Sequence, residues 1–294
     1  MNDYLVKAYA FDATVRLYAA RTTNLAEEAR NIHDTFPAAS AALGRTLTAA
    51  AIMGAMYKGD QSLSIRIDGG GPLGPIVVTT NTRGEVRGYV GNPHVHGSTN
   101  DGKLAVGFVV GHDGFIHVTK NLNIRNIFTS SAELQTGEIA EDFTYYFLKS
   151  EQIPSAVGLG VLVETDNSIV SAGGFILQVM PGAKPETLDR IDATIRAMRP
   201  VSELIQDGYT PEMIVQEITG GEHEIVERLE LGYRCDCSRE RFGRGIASLD
   251  RTELDEMIAE GKPIETVCHF CNRKYEFTVA DLQAMLPPDP LAKS

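Results

Sequence analysis

Only four cysteines occur in this 294-residue chain, and all stand in its last quarter as two close pairs, Cys235-Asp236-Cys237 and Cys268-His269-Phe270-Cys271. Four sulfurs from two short clusters meet the needs of one tetrahedral metal ion. Each pair supplies an edge, and the intervening chain closes the set. Soft thiolates with four-coordination favour zinc over magnesium or calcium. The first pair is C-x-C, a tighter loop than the C-x2-C that most structural zinc sites use twice.

Two readings of such a centre follow from the residues. In one, zinc staples a segment, from about Leu231 to Ser294, that is too short to build much core alone. In the other, the same dependence makes a switch. Sulfurs on one zinc lie roughly 3.7 Å apart, whereas a disulfide brings them to about 2.05 Å. The roughly 10–16 kcal/mol of binding free energy that folds such a domain is lost once they bond to each other. Either pair is close enough in sequence to oxidise without a long chain search. The residues alone leave staple and switch both open.

The formal net charge of −12 argues against nucleic acid as a partner, which matters because cysteine ribbons often bind it. The opening Met1-Asn2-Asp3-Tyr4 lacks the basic start of a secretory signal, and Lys7 and Asp12 break the run that follows. A reducing, cytoplasmic setting is expected, without resting disulfides. The most apolar stretch, Ala38 to Tyr57, carries Arg45, Ser40 and two threonines, and predicts a buried helix in place of a membrane span.

Residues 4–19 alternate as a strand does, and Asn24 is expected to cap a short helix. Pro37 opens a long alanine-rich helix that Gly59 is expected to end. Strands follow over Ser62–Asp68, Pro75–Thr80, Glu85–Val90, Lys103–Val110 and Phe115–Thr119. A helix over Gly137–Ser150 places Phe143, Tyr146 and Phe147 on one face, and Ala156–Glu164 with Ile169–Val179 form a hairpin about Asp166-Asn167. Strands and helices in separate runs predict the α+β class. The expected layout is a mixed sheet-and-helix domain over 1–180, a helical linker over 181–231 and a small four-cysteine zinc module over 232–294.

The linker is acidic and weakly amphipathic. Leu188, Ile191, Ile195 and Met198 recur at helical spacing, and Thr210-Pro211 starts another helix that Gly220-Gly221 closes. Such thin stripes need a neighbour to pack on, which suits a metastable segment as well as an ordinary connector.

Other motifs carry less. The glycine-rich Asp68–Pro75 has no Lys-Ser/Thr after it and predicts an inter-strand turn, not a phosphate cradle. His94-Val95-His96 lacks a carboxylate pair for a second metal, His112 and His117 lack a nucleophile partner, and His269 is peripheral to a shell four cysteines complete. Arg234, Arg239, Arg241, Arg273 and Lys274 flank the cysteines, where cations offset a thiolate centre or lower thiol pKa.

Together, Cys235-Asp236-Cys237-Ser238-Arg239-Glu240-Arg241 and Cys268-His269-Phe270-Cys271-Asn272-Arg273-Lys274-Tyr275-Glu276-Phe277 resemble the motifs of the redox-regulated thirty-three-kilodalton heat-shock chaperone family. The Asp68–Pro75 turn and Gln152-Ile153-Pro154-Ser155 are also similar, and the resemblance spans essentially the whole chain. It implies an ATP-independent holdase and not an enzyme. One zinc would be held by Cys235, Cys237, Cys268 and Cys271 in a reduced, largely inactive monomer. Oxidants would form the disulfides Cys235–Cys237 and Cys268–Cys271, release zinc, unfold module and linker, and promote a homodimer that binds unfolded clients. The freed stripe of Ile191, Ile195, Met198, Ile205, Met213 and Ile214 is the expected client contact. Two other classes compete. A thiol–disulfide oxidoreductase would use Cys268 and Cys271 but wants them at a helix start, whereas Tyr275 and Phe277 predict a strand. A zinc-ribbon nucleic-acid factor would need salt-dependent binding that the acidic balance opposes.

Overall fold

The alternation over residues 4–19 resolves into a hairpin of β1 (Tyr4–Ala10) and β2 (Val15–Arg21). The computed structural model describes residues 2–97, 104–122 and 127–286. Its contacts separate it into two compact units, residues 1–234 and 235–294.

Helix α1 (Thr23–His33) begins one residue before Asn24, so Thr22, not Asn24, holds the cap position. Its free N–H groups are met from outside the helix, with Leu25 N–H donating to Asp3 Oδ2 at 2.7 Å. Helix α2 (Pro37–Gly54) starts at Pro37 as expected but ends short of Gly59. The tighter bonds Met56 N–H to Met53 O and Tyr57 N–H to Gly54 O close it, and Gly59 serves the following turn with φ 65°.

Strands β3 (Ser62–Asp68), β4 (Ile76–Asn81) and β5 (Glu85–Val90) follow the predicted runs. The strand expected over Lys103–Val110 is not one. Lys103 lies outside the described residues, and Val106–Val110 form a short helix, α3. A tertiary contact makes the difference: Glu138 Oε1 accepts the Gly107 N–H at 2.8 Å while Glu138 Oε2 pairs with Arg45 at 2.7 Å. Next come β6 (Phe115–Asn121), β7 (Phe128–Glu133) and α4 (Ala140–Tyr146), which runs on through Phe147–Glu151 as a π-helical turn. Phe143, Tyr146 and Phe147 are buried together, as their spacing predicts. The hairpin of β8 (Ser155–Val163) and β9 (Ile169–Val179) completes the strands expected in this half.

The rest of the first unit is α5 (Pro185–Ala197), α6 (Val201–Gln206), α7 (Pro211–Thr219), β10 (His223–Glu230) and β11 (Gly232–Tyr233). Thr210 caps α7 by accepting Met213 N–H at 3.3 Å, and Gly220 ends it in the left-handed region. No sequence signal predicts strand β10. It pairs antiparallel with β1 at the edge of a five-stranded sheet ordered β10-β1-β2-β9-β8. The second sheet is ordered β11-β5-β4-β3-β6-β7. Helix α2 lies between the sheets, packed on β8 and β9 on one side and on β4 and β5 on the other, with small side chains that allow close approach. The opposite face of the five-stranded sheet presents Val6, Val15, Leu17 and Phe175, and α5–α7 cover it with Ile191, Ile205, Ile214 and Ile218.

The second unit holds α8 (Arg239–Ile246), α9 (Arg251–Ala259), β12 (Ile264–Val267), β13 (Lys274–Phe277) and α10 (Val279–Met285). Its buried core consists of Ile246, Leu254, Phe277 and Leu282. At about 1.5–3 kcal/mol per side chain, such a core contributes roughly 6–12 kcal/mol, no more than one four-thiolate metal site supplies.

Candidate metal centre

Local backbone chemistry presents each cysteine pair. Cys235 and Cys237 lie in irregular chain that leads to an extended Ser238, whose hydroxyl accepts Arg241 N–H at 3.2 Å and starts α8. Cys268 and Cys271 form a knuckle between β12 and β13. Cys268 N–H donates to Arg273 O at 2.9 Å, its own carbonyl accepts Asn272 N–H at 2.8 Å, and Asn272 turns the chain with φ 55°. Asn tolerates that conformation better than most residues.

The two edges meet across the module. Cys235 Sγ lies 3.7 Å from Cys268 Sγ, and Cys237 Sγ lies 3.3 Å from Cys271 Sγ. All four sulfurs fall within 4.8 Å of one another, and none of the four is in a disulfide. A metal about 2.3 Å from each sulfur needs separations of roughly 3.7 Å. The four cysteines therefore fit one tetrahedral metal ion. Among the described residues no other group of three or more cysteine, histidine, aspartate and glutamate side chains is close enough to share an ion. His269 stays outside the sulfur cluster.

The thiols are not equivalent. Burial works against the Cys237 thiolate, but hydrogen bonds from the Tyr275 hydroxyl and the neighbouring sulfurs outweigh it and bring the thiol down to about 7. Burial pushes Cys268 up, and pushes Cys271 up to about 12. The Tyr275 hydroxyl donates to Cys237 Sγ at 3.1 Å. Sequence reasoning names Tyr275 as a motif and strand residue but not as a partner of Cys237, since nothing in the spacing shows which side of β13 it faces.

The flanking cations divide. Arg239 pairs with Asp281 at 2.8 Å and lies over the Phe277 ring, Arg241 pairs with Asp236 at 2.9 Å, and Lys274 pairs with Glu265 at 2.9 Å. Arg273 sits beside Tyr275 and close enough to Cys237 and Cys271 for their thiolates to stabilise its charge.

Elsewhere, His94 and His96 flank the Phe36 ring at 4.9 and 4.7 Å, and His94 Nε2 meets Asp34 Oδ2 at 3.1 Å, with no pair of carboxylates. The Asp68–Pro75 segment is an inter-strand turn whose Gly71 and Leu73 N–H groups donate to Val110 O and Val109 O. His117 stacks on Phe115, with ring centroids 5.8 Å apart. Of the six residues expected to touch clients, Ile191, Ile205 and Ile214 are buried, Ile195 and Met198 are half-buried, and Met213 is exposed. No helix among the described residues is long and apolar enough to cross a membrane.

Comparison with known proteins agrees with this geometry. A family model described as "Hsp33 protein" matches residues 3–278. The chain is 51% identical over 284 residues to a 33 kDa chaperonin of Bacillus licheniformis, covering 96% of this chain and 98% of the relative. It is 50% identical to that of Bacillus subtilis, with the same coverage. It superposes on the crystal structure of a 33 kDa chaperonin of Thermotoga maritima with TM-score 0.89 and 35% identity, covering 97% of this chain and 98% of that one. A family match over nearly the whole chain, relatives at half identity and one shared fold lead to a single conclusion: the chain belongs to the Hsp33 protein family.

Proposed function

We propose that this protein is an ATP-independent holdase whose client binding is switched on by oxidation of Cys235, Cys237, Cys268 and Cys271. One observation carries the reading. Four sulfurs, none of them in a disulfide, converge within 4.8 Å in a unit whose described residues bury an apolar core of four side chains. In the reduced state the four thiolates would hold one zinc, which supplies fold-stabilising coordination and no chemistry of turnover.

The oxidant class is peroxide. For each disulfide, two thiols and one hydrogen peroxide give one S–S bond and two waters, the sulfurs losing the two electrons that peroxide gains. The pairing proposed is Cys235–Cys237 and Cys268–Cys271. Sulfurs paired in this way cannot hold the ion, and the module loses a stabilisation comparable to its whole core.

The segment 181–231 is the proposed metastable linker. Its helices α5–α7 bury Ile191, Ile205 and Ile214 on the sheet face formed by β1, β2 and β9. Its release would bare two apolar surfaces at once, the helix stripe and the sheet face, for unfolded clients and for a second copy of the chain. Strand β13 directly after Cys271 leaves no helix start at that pair, which weighs against an oxidoreductase. The setting proposed is a reducing cytoplasm.

The test is light scattering of a heat-denatured client without ATP, with the chain reduced or peroxide-treated, alongside its sedimentation. Suppression only by the oxidised, dimeric form is expected. Equal suppression by the reduced form, or none by either, would remove the reading.

A further inference from the structure

We propose that the Tyr275 hydroxyl is a positioning group that restrains the Cys237 sulfur from attack by an oxidant while the centre is loaded. The proposal rests on the redox-switch reading above and adds to it a residue outside the four ligands.

The geometry is specific. Tyr275 sits in β13 opposite Thr266 of β12, and Thr266 Oγ1 donates to its carbonyl at 3.3 Å. The Phe242 ring lies 5.1 Å from the Tyr275 ring, tilted by 35°. Its strand pairing carries the hydroxyl to Cys237 Sγ at 3.1 Å, and the Arg273 guanidinium lies beside the same oxygen. A thiolate only accepts, so the hydroxyl is the donor. Cys268 and Cys271 are met instead by backbone N–H groups of Phe270, Cys271 and Arg273. The knuckle sulfurs thus take their hydrogen bonds from the main chain, whereas Cys237 receives one from a side chain that substitution can remove.

A hydrogen bond to a coordinated sulfur withdraws electron density from it, and groups that contact ligands in this way tune the centre. In the step concerned, the Cys237 thiolate attacks a peroxide oxygen. The S–O bond forms, the O–O bond breaks, and the products are a sulfenic acid and hydroxide. The Cys235 thiolate then attacks the Cys237 sulfur and expels a second hydroxide, leaving the disulfide. The sulfur pair loses two electrons and peroxide gains them. The Tyr275 hydrogen bond must weaken as Cys237 gives up its lone pair, so it slows the first step.

The experiment compares metal-loaded full-length wild type, Tyr275→Phe and Phe242→Leu. The first variant keeps the ring and removes the donor, and the second disturbs the ring and keeps the donor. Per-cysteine modification by peroxide is followed by mass spectrometry, and the sulfur-to-metal charge-transfer band is read in cobalt-loaded samples. Tyr275→Phe is expected to speed modification of Cys237 by roughly three- to tenfold relative to Cys271, as loss of one charge-assisted hydrogen bond implies. It should also move the cobalt band to lower energy, with Phe242→Leu close to wild type in both. Should Tyr275→Phe fail to load cobalt, Tyr275→His, which restores an N–H donor, is read in its place. A wild-type band and wild-type Cys237 rate in that variant support the role, and failure of both variants to load overturns it. Unchanged Cys237 rate and band in Tyr275→Phe, or equal changes in Phe242→Leu, overturn the proposal while the switch stands. A wild type that loads no metal or whose cysteines ignore peroxide overturns the switch and this proposal together.

Discussion

A Cβ on Gly160 would fall 2.6 Å from the backbone nitrogen of Ser202, so the first turn of α6 rests directly on the main chain of β8. Gly173 of β9 lies directly opposite Gly160, and its missing Cβ makes room for Ile205 Cδ1, which would otherwise stand 2.3 Å away. Ser171 Oγ–H donates to Ser202 O at 2.7 Å and fixes the register. The bare glycine pair is the floor on which the proposed linker docks.

Gly160→Ala should therefore lift α6 without touching the cysteines. Forcing a methyl into such a contact costs about 1–3 kcal/mol. The expected outcome is measurable client protection by the reduced chain and faster proteolysis within 181–231. A reduced Gly160→Ala chain as silent and as protease-resistant as wild type would contradict the docking role.

Met213 and Ile214 are neighbours in α7 with opposite exposure, and their serine variants should separate docking from client contact. Ile214 is 0% exposed, and Ile214→Ser should cost about 3–5 kcal/mol of docking, activating the reduced chain. Met213 is 44% exposed, and Met213→Ser should leave the reduced state silent while weakening client capture after oxidation. Aggregation assays in both redox states check the pair. Identical behaviour of the two variants would remove α7 from the account.

Much of this architecture is legible in the chain, and the exceptions have physical causes. The four cysteines, Pro37 at the start of α2, and the bounds of β3, β5 and β9 stand where spacing puts them. Strand β10 is hidden because His223–Glu230 is charged and largely exposed, with no alternation strong enough to mark a buried face. Its partner β1 lies more than two hundred residues earlier, so only tertiary pairing makes it a strand. The valines of Val106–Val110 imitate a strand, and Glu138, from a distant turn, holds them in a helix. The sulfur cluster is readable as a candidate metal site, but Tyr275 becomes visible only when β12 and β13 pair. Nothing in the linker sequence shows that Ile191, Ile205 and Ile214 are covered at rest, since a thin stripe looks alike whether docked or free.

Acid should weaken the first unit through Glu151. Burial raises its carboxyl, but hydrogen bonds from Lys120 Nζ and Tyr146 Oη, both at 2.5 Å, outweigh that and hold it below the usual carboxylate range. A depressed folded-state value contributes stability that is present above the unfolded value, about 4.3, and is lost as pH falls through the folded one. Glu151→Gln should be less stable at neutral pH and should lose less stability than wild type on acidification through that window. Parallel pH profiles of denaturant midpoints would contradict it.

Chelation of the reduced chain should mimic half of activation. Removing the ion leaves the four-residue core of the second unit unsupported, so hydrogen exchange over α8, α9 and α10 should rise steeply while β3 and β4 keep their protection. Full protection of residues 235–286 after chelation would show that the module folds without metal.

The most direct measurement follows three quantities in one peroxide time course: zinc released to a colorimetric chelator, disulfides mapped by mass spectrometry, and hydrogen exchange over residues 181–286. The account predicts that one zinc leaves per chain as Cys235–Cys237 and Cys268–Cys271 form, with exchange rising in the same interval. Oxidised protein that retains its zinc and its protection while holding clients would contradict it.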